Sequence, residues 1–402
     1  MKDNILPKTN CFIPDYGVAK AENFGIIYPV INNYILNNKD LEESRNGEVK
    51  ELLDVKTIIT NPYKRCTGGY GRDINVFFLL AEAIWIVSGR SDVEFLNIFN
   101  SRMKDFSDDG IVFHAPYGFR LRHWGSRSDD PFSSNVSVQR GFDQVLEAIR
   151  ILYGNPNSRQ VVMSIWNPVL DLGSKSRDIP CNDLVMFKIR NGKLITTIAN
   201  RSNDLHWGLP TNVFQFSFLS EVIASCLGIE LGTQTHNSQS LHIYNWNGTA
   251  DEMDEEFEKQ GGGRSLYEST PAEEKPMDFN FSHDVPMNKF IEINYYFDLI
   301  IRNLLEDQRG GEVNKDEIKQ LQEFSHFFHN VYRLLSIYVK YKQKNKVCKS
   351  VEEKDAIRKT AISEIELMEA EGAHDWDMAI LAKNFFASRL TIPMKHDYLG
   401  KL

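Results

Sequence analysis

Ile179-Pro180-Cys181-Asn182-Asp183, Leu184–Ile189, Arg190-Asn191-Gly192-Lys193, Leu194–Ala199 and Arg201-Ser202-Asn203-Asp204-Leu205-His206-Trp207-Gly208-Leu209-Pro210-Thr211-Asn212 form the stretch that decides the fold. Apolar-rich runs on both sides of the turn pair Asn191-Gly192 predict two strands joined by a tight hairpin. Pro210 then opens an apolar segment, Val213–Leu227, closed by Gly228, which predicts a buried helix with a start signal and a C-terminal glycine. Cys181 enters the hairpin and an Arg-Ser-x-Asp cluster leaves it, so the two ends of adjacent strands face one another. A thiol beside a fixed guanidinium is an arrangement that yields a thiolate nucleophile.

Further along, Leu241-His242-Ile243-Tyr244 reads as a strand on which His242 and Tyr244 share a face, where two polar side chains can grip a sugar hydroxyl together. On the N-terminal side, Val49–Ile59 reads as a strand behind Ser44-Arg45-Asn46-Gly47. Arg45 in this Gly-containing loop suits a phosphate, with a solvated loop arginine as the plainer alternative. Ile74–Val87 is apolar almost all round, as a buried helix is, and Glu82 is its only charge. A lone buried carboxylate is expensive, so it has either a task or a firm hydrogen-bond network. Residues 138–153 predict a helix ending at Gly154-Asn155-Pro156, and Ser158-Arg159-Gln160 leads into a strand over Val161–Trp166.

A chain of 402 residues with 42% hydrophobic residues can bury a sizeable core, and its net charge of −9 argues against nonspecific nucleic-acid binding. Cys11, Cys66, Cys181, Cys226 and Cys348 are scattered with no metal-ligand spacing, which predicts a reduced, cytoplasmic chain without a metal. No apolar run approaches membrane-spanning length, and Met1-Lys2-Asp3-Asn4 leads into no signal-peptide core, so no membrane partner is expected. The composition divides the chain into five parts. Residues 1–40 form an N-terminal addition, and 41–246 the core that carries the motifs above, which the resemblance given below makes the catalytic core. Residues 247–287, with Asp251-Glu252-Met253-Asp254-Glu255-Glu256 and Gly261-Gly262-Gly263, read as an acidic, flexible insertion. Residues 288–390 carry helical spacing at 289–307, 315–345, 351–371 and 375–389, a helical expansion completing the same domain. Residues 391–402 are a tail.

Pro180-Cys181, Arg201-Ser202-x-Asp204, Gly208-Leu209-Pro210-x-Asn212 and Leu241–Tyr244, in this order and spacing, resemble the thymidylate synthase superfamily. Within it they look most like the pyrimidine nucleotide hydroxymethylases of phages. The resemblance covers residues 40–246 and the last dozen, where Lys395-x-Asp397-Tyr398-x-Gly400-Lys401 is similar to a hydroxymethylase tail that folds over bound folate. It implies an α+β fold, a large mixed sheet backed by helices, and an obligate homodimer paired sheet to sheet. It implies Cys181 as nucleophile at C6 of a pyrimidine, Arg201 as its activator, Glu82 as the group that organises water near the ring and helps to deprotonate it, and Tyr117 and Asn182 in the catalytic network. Arg45, Arg201, Ser202 and the partner-reaching Arg159 would hold the phosphate, Asn212 the base edge, and His242 with Tyr244 the deoxyribose. Asp204, Gly208 and Glu82 would meet the folate.

Four departures shape the expected reaction. Met103 and Phe106 stand where the synthases carry two tryptophans, one of which shields the intermediate from solvent. Gln160 stands for the second of two arginines, and Asn182 follows the cysteine where the synthases have histidine. Asn212 offers a donor and an acceptor that match O4 and N3–H of uracil, where hydroxymethylases acting on cytosine have aspartate. The resemblance therefore implies a deoxyuridylate hydroxymethyltransferase. It would transfer a one-carbon unit from 5,10-methylenetetrahydrofolate to C5 of dUMP and add water, giving 5-hydroxymethyl-dUMP and tetrahydrofolate for hydroxymethyluracil-containing phage DNA. The alternatives are a thymidylate synthase making dTMP and dihydrofolate, then a cytidylate hydroxymethylase, and from another class a catalytically dead dimeric binding protein.

Overall fold

The computed structural model describes residues 11–37, 41–44, 47–66, 75–126, 141–245, 276–371 and 377–390. Arg45, the acidic run, the triple glycine and the tail lie outside the described residues. The strands are β1 (Phe12–Ile13), β2 (Val18–Ala21), β3 (Glu42–Ser44), β4 (Gly47–Ile59), β5 (Val162–Ser164), β6 (Asn182–Arg190), β7 (Lys193–Asn200), β8 (Asn203–Asp204) and β9 (Glu230–Tyr244). The first helices are α1 (Phe24–Leu36), α2 (Val76–Val87), α3 (Val93–Phe99), α4 (Met103–Phe106), α5 (Tyr117–Arg122), α6 (Gln144–Gly154), α7 (Pro168–Asp171) and α8 (Gly208–Leu227). The C-terminal helices are α9 (Pro286–Gln308), α10 (Lys315–Phe324), α11 (His326–Val347), α12 (Val351–Ala370) and α13 (Asp377–Ala387).

The predicted hairpin is β6–β7. Its turn residues Asn191 and Gly192 both have positive φ, 53° and 71°, the backbone that matches the twist of the flanking strands. Among the described residues it lies in a nine-stranded mixed sheet ordered β1-β2-β4-β9-β7-β6-β5, with β3 on β4 and β8 on β9. The expected α+β fold, a large mixed sheet backed by helices, is the one observed. β9 pairs antiparallel with β4 and parallel with β7, so Leu241–Tyr244 is only the end of a fifteen-residue strand. In the hairpin Asn182 pairs with Asn200, and the Arg201 amide donates to the Cys181 carbonyl at 3.1 Å, bringing entry and exit together. A register shift between Asn182 and Leu184 marks a bulge beside the cysteine, a device that re-aims a side chain.

One hydrophobic core runs from α2 (Phe77, Leu80) through α8 (Phe214, Phe218) into α9 and α11 (Phe297, Phe328) and on to Phe386 of α13. The helical expansion therefore shares its interior with the catalytic part. A second cluster joins Phe24, Ile27 and Ile31 of α1 to Leu205, Leu209 and Leu241. Residues 12–36, read as an addition without an assigned role, thus enter the sheet and brace the start of α8. Tyr28 and His206 Nδ1 are hydrogen-bonded at 2.7 Å.

Several boundaries differ from the sequence reading. The helix expected over 138–153 begins at Gln144, because the Asp143 side chain accepts from the Leu146 amide and caps it. α8 begins at Gly208, two residues before Pro210. Proline still sits in the first turn, where its missing N–H leaves no hydrogen bond unmade. The segment 315–345 is two helices: Ser325 is extended and caps α11, and Asp278 accepts from the His326 and Phe327 amides, each at 2.9 Å. The end of the stretch read as a flexible insertion is packed. Met277 is buried with its amide on Glu221, and Phe279 stacks on Phe281 and meets Phe328 edge-on. Among the described residues, no helix is long and apolar enough to cross a membrane.

Candidate active site

A cavity of about 820 Å3 opens between α2, the loop entering α5, Asp178 and the start of α8. Glu82, Tyr117, Asp204, Gly208, Asn212 and Tyr244 line it, together with Met103 and Phe106. Cys181, Arg201, Ser202 and His242 are not part of this lining; Cys181 is joined to it through the Tyr117 hydroxyl. Arg159 is exposed ahead of β5 and does not reach the cavity within one chain.

Cys181 is held by its neighbours. Its amide donates to the Tyr117 hydroxyl at 3.4 Å, and an Arg201 Nη2 lies 3.8 Å from its Sγ. The same guanidinium is fixed by Nε on the Pro180 carbonyl at 2.8 Å and Nη2 on the Ile179 carbonyl at 3.2 Å. A permanently charged group placed on a thiol by two backbone carbonyls favours the thiolate without rearrangement. By contrast, burial inside α8 pushes the Cys226 thiol up, as expected of an inert core cysteine. Burial, then the neighbouring Cys181 and Asp178, also push up the Tyr117 phenol, so it remains a donor. Tyr117 sits where it does because Gly118 lets α5 press on the backbone of α2: a Cβ there would overlap the Ile86 carbonyl oxygen.

Asn212 is embedded in a line of buried amides. Asn182 Nδ2 donates to Asn212 Oδ1 at 3.0 Å, Asn212 Nδ2 to Asn203 Oδ1 at 3.2 Å, and Asn203 Nδ2 to Ser238 Oγ at 3.1 Å. Asn200 closes the other end by donating to Asn182. Each asparagine thereby fixes which way the next one faces, so the Asn212 amide meets a ligand in one orientation.

Glu82 receives a hydrogen bond from Gln215 across the cavity wall. Desolvation pushes its carboxyl up to about 8, against that hydrogen bond and aided by the charge of Asp178. In the free protein it is therefore mainly a proton donor at neutral pH. Asp204 accepts from the backbone amides of His206 (3.1 Å), Trp207 (2.8 Å) and Gly208 (3.3 Å), which closes the start of α8. His242 and Tyr244 do share a side of β9, their rings edge-on at 4.9 Å, and burial lowers the His242 pKa against the pull of Asp204. Behind the loop, buried Asp171 takes two hydrogen bonds from Arg120 (Nη2 to Oδ1 at 2.7 Å), one from the Asn167 amide and one shared with His114. Burial alone would raise the Asp171 carboxyl, and these partners together hold it at about 2.

The sequence reading missed the other wall. α11 supplies Tyr338 and Lys342, α13 Phe385 and the turn after it Arg389, in one lining with Phe78, Phe99 and Arg102. Flat aromatic faces with several cations fit a flat ring system carrying an anionic tail. No short motif marks these residues, since their helices read only as amphipathic. Asp178 and Gln215 were also missed; the first is one acid in a polar loop and the second one amide in an apolar helix.

The sequence pattern of the family described as Thymidylate synthase matches residues 71–285. The chain is similar to the deoxyuridylate hydroxymethyltransferase of Bacillus phage SP01, 42% identical over 220 residues, 54% of this chain and 56% of that protein. A protein of the same name from Pseudomonas phage M6 is 38% identical over 206 residues, 50% of this chain and 54% of that one. The one from Delftia phage PhiW-14 is 30% identical over 263 residues, 62% and 66%. The matches thus span between about half and two thirds of those relatives' lengths.

Proposed function

From its membership of the thymidylate synthase family, which the match over residues 71–285 establishes, we propose that the chain hydroxymethylates dUMP at C5 with 5,10-methylenetetrahydrofolate as carbon donor. The observation that carries this reading is the thiol of Cys181, 3.8 Å from a fixed guanidinium and joined through Tyr117 to a cavity that Glu82 and Asn212 also line. C5 of a pyrimidine is too weak a nucleophile for the carbon donor until a thiolate adds at C6, which splits one hard step into two easier ones. Cys181 is that nucleophile, and Arg201 stabilises it and, with Ser202 and Arg45, takes the nucleotide phosphate. Asn212 reads O4 and N3–H of uracil from its fixed orientation, and Asn182 serves by fixing it. His242 and Tyr244 take the deoxyribose. The folate supplies the one-carbon unit. Asp204 and Gly208 meet its ring, while the aromatic wall with Lys342, Arg389 and Arg102 suits its benzoyl-glutamate portion.

Water completes the reaction because Met103 and Phe106 line the cavity where the synthases carry two tryptophans; the indoles in the lining, Trp85 and Trp207, come from other parts of the chain. The second chain of a homodimer would bring its own Arg159 to this site. In support, buried Leu194, Thr196 and Ile198 of β7 alternate with Ile195, Thr197 and Ala199, which stay partly exposed in the single chain, a second sheet face ready for a partner. The deciding experiment is mass analysis of the product from dUMP and methylenetetrahydrofolate. A gain of CH2O, with tetrahydrofolate released and no absorbance rise from dihydrofolate, is expected. Stoichiometric dTMP and dihydrofolate would instead make the chain a thymidylate synthase. Loss of both products in Cys181→Ala, with Cys226→Ala active, is expected from the same assay.

A further inference from the structure

We propose that Asp178 is the catalytic base that takes the proton from the water added to the one-carbon unit, a role that rests on the hydroxymethyl reading above. Three carboxylates line the cavity among the described residues: Glu82, Asp178 and Asp204. Asp204 is committed to three backbone amides at the start of α8. Glu82 is desolvated and hydrogen-bonded to Gln215, and stands protonated at neutral pH. Asp178 is three residues before Cys181 and reaches the cavity from the same loop. Its Oδ2 accepts from the Ala115 amide at 2.7 Å, which anchors it to the segment that carries Tyr117. It lines the same cavity as Glu82 and Tyr117, and its charge adds to the rise of both their pKa values. Two carboxylates with unlike surroundings in one site divide acid and base work between them.

The step balances without an oxidant. The water oxygen forms a bond to the exocyclic methylene carbon of the Cys181-bound nucleotide, and its proton passes to the Asp178 carboxylate. The methylene π electrons move through C5 onto O4. Their return forms the C5–C6 double bond and breaks the C6–S bond, releasing the Cys181 thiolate. Glu82, as a proton donor, supports the charge that develops on O4.

Asp178→Asn keeps an oxygen for the Ala115 amide and removes the base. Two rates separate a chemical role from a structural one. The first is tritium release from C5-labelled dUMP with tetrahydrofolate as the only folate, which reads thiolate addition without carbon transfer. The second is 5-hydroxymethyl-dUMP formation with methylenetetrahydrofolate. Exchange within about threefold of wild type, with product formation down by roughly 100-fold or more, is expected. Formate should restore part of the product rate in Asp178→Ala. The assignment is overturned if Asp178→Asn forms product at the wild-type rate, or if exchange and product fall together. Wild-type enzyme yielding dTMP and dihydrofolate overturns the hydroxymethyl reading itself, and is seen before any variant is compared.

Discussion

Asn182 donates its side-chain amide to Oδ1 of Asn212 across 3.0 Å, tying the residue after Cys181 to a residue of the cavity lining. Asn203 accepts from the other end of the Asn212 amide at 3.2 Å. The Asn212 side chain is thus set by Asn182 and Asn203, and its donor and acceptor cannot exchange places without breaking both hydrogen bonds.

Asn212→Asp is the direct test. The carboxylate still accepts from Asn182 but offers no hydrogen to Asn203 or to uracil O4, while it can accept from a cytosine amino group. One polar mismatch in a desolvated site costs about 1–3 kcal/mol. Competition between dUMP and dCMP should therefore move toward dCMP by roughly tenfold or more. Unchanged dUMP preference in that assay would remove Asn212 from base recognition.

Glu82 gives a stability prediction with a definite sign. Its carboxyl is raised in the folded protein to about 8 by desolvation, so between the ordinary carboxylate range and pH of about 8 the folded state holds the extra proton. Stability conferred by this proton is complete at acid pH and is lost as pH rises through that window. Melting temperatures measured from acid to alkaline pH should decline less in Glu82→Gln than in wild type, with the two diverging most at the alkaline end. Parallel curves would place no such shift at Glu82.

Gly118→Ala should lower both stability and turnover. The added methyl overlaps the Ile86 carbonyl oxygen, which belongs to the backbone of α2 and cannot swing aside. Overpacking of this kind costs about 1–3 kcal/mol, and relief by shifting α5 moves the Tyr117 hydroxyl away from the Cys181 amide. Urea unfolding and C5 exchange in the same variant read the two effects separately.

Asp171→Asn leaves Arg120 buried with its ion pair gone. Removing one partner of a buried pair costs on the order of 3–5 kcal/mol, so the variant should unfold at markedly lower urea than wild type. Asp171→Asn together with Arg120→Met should recover part of the loss. No recovery would mean that the pair acts through its hydrogen bonds to the Asn167 amide and the Ile165 carbonyl instead.

The sequence by itself determined the hairpin, the buried helix after it, and the meeting of a cysteine with an arginine, because each rests on local signals. Asn191-Gly192 prescribes its own turn, Gly228 its own helix end, and Cys181 and Arg201 meet because a two-residue turn pairs their strands, although the bulge that sets their final register was not legible. Glu82 was legible as the one charge on an apolar helix. Only the tertiary structure decided how the asparagines connect, that Asp204 closes α8, that α1 braces His206, and that α11 and α13 wall the cavity. These depend on elements far apart in the chain, and a side chain's partners across such distances leave no periodicity to read. Asp178 shows the difference most clearly. In the sequence it is one acid of many in a polar loop, and its surroundings, a desolvated Glu82 and a Tyr117 anchored through the same loop, exist only once α2, α5 and the hairpin have packed.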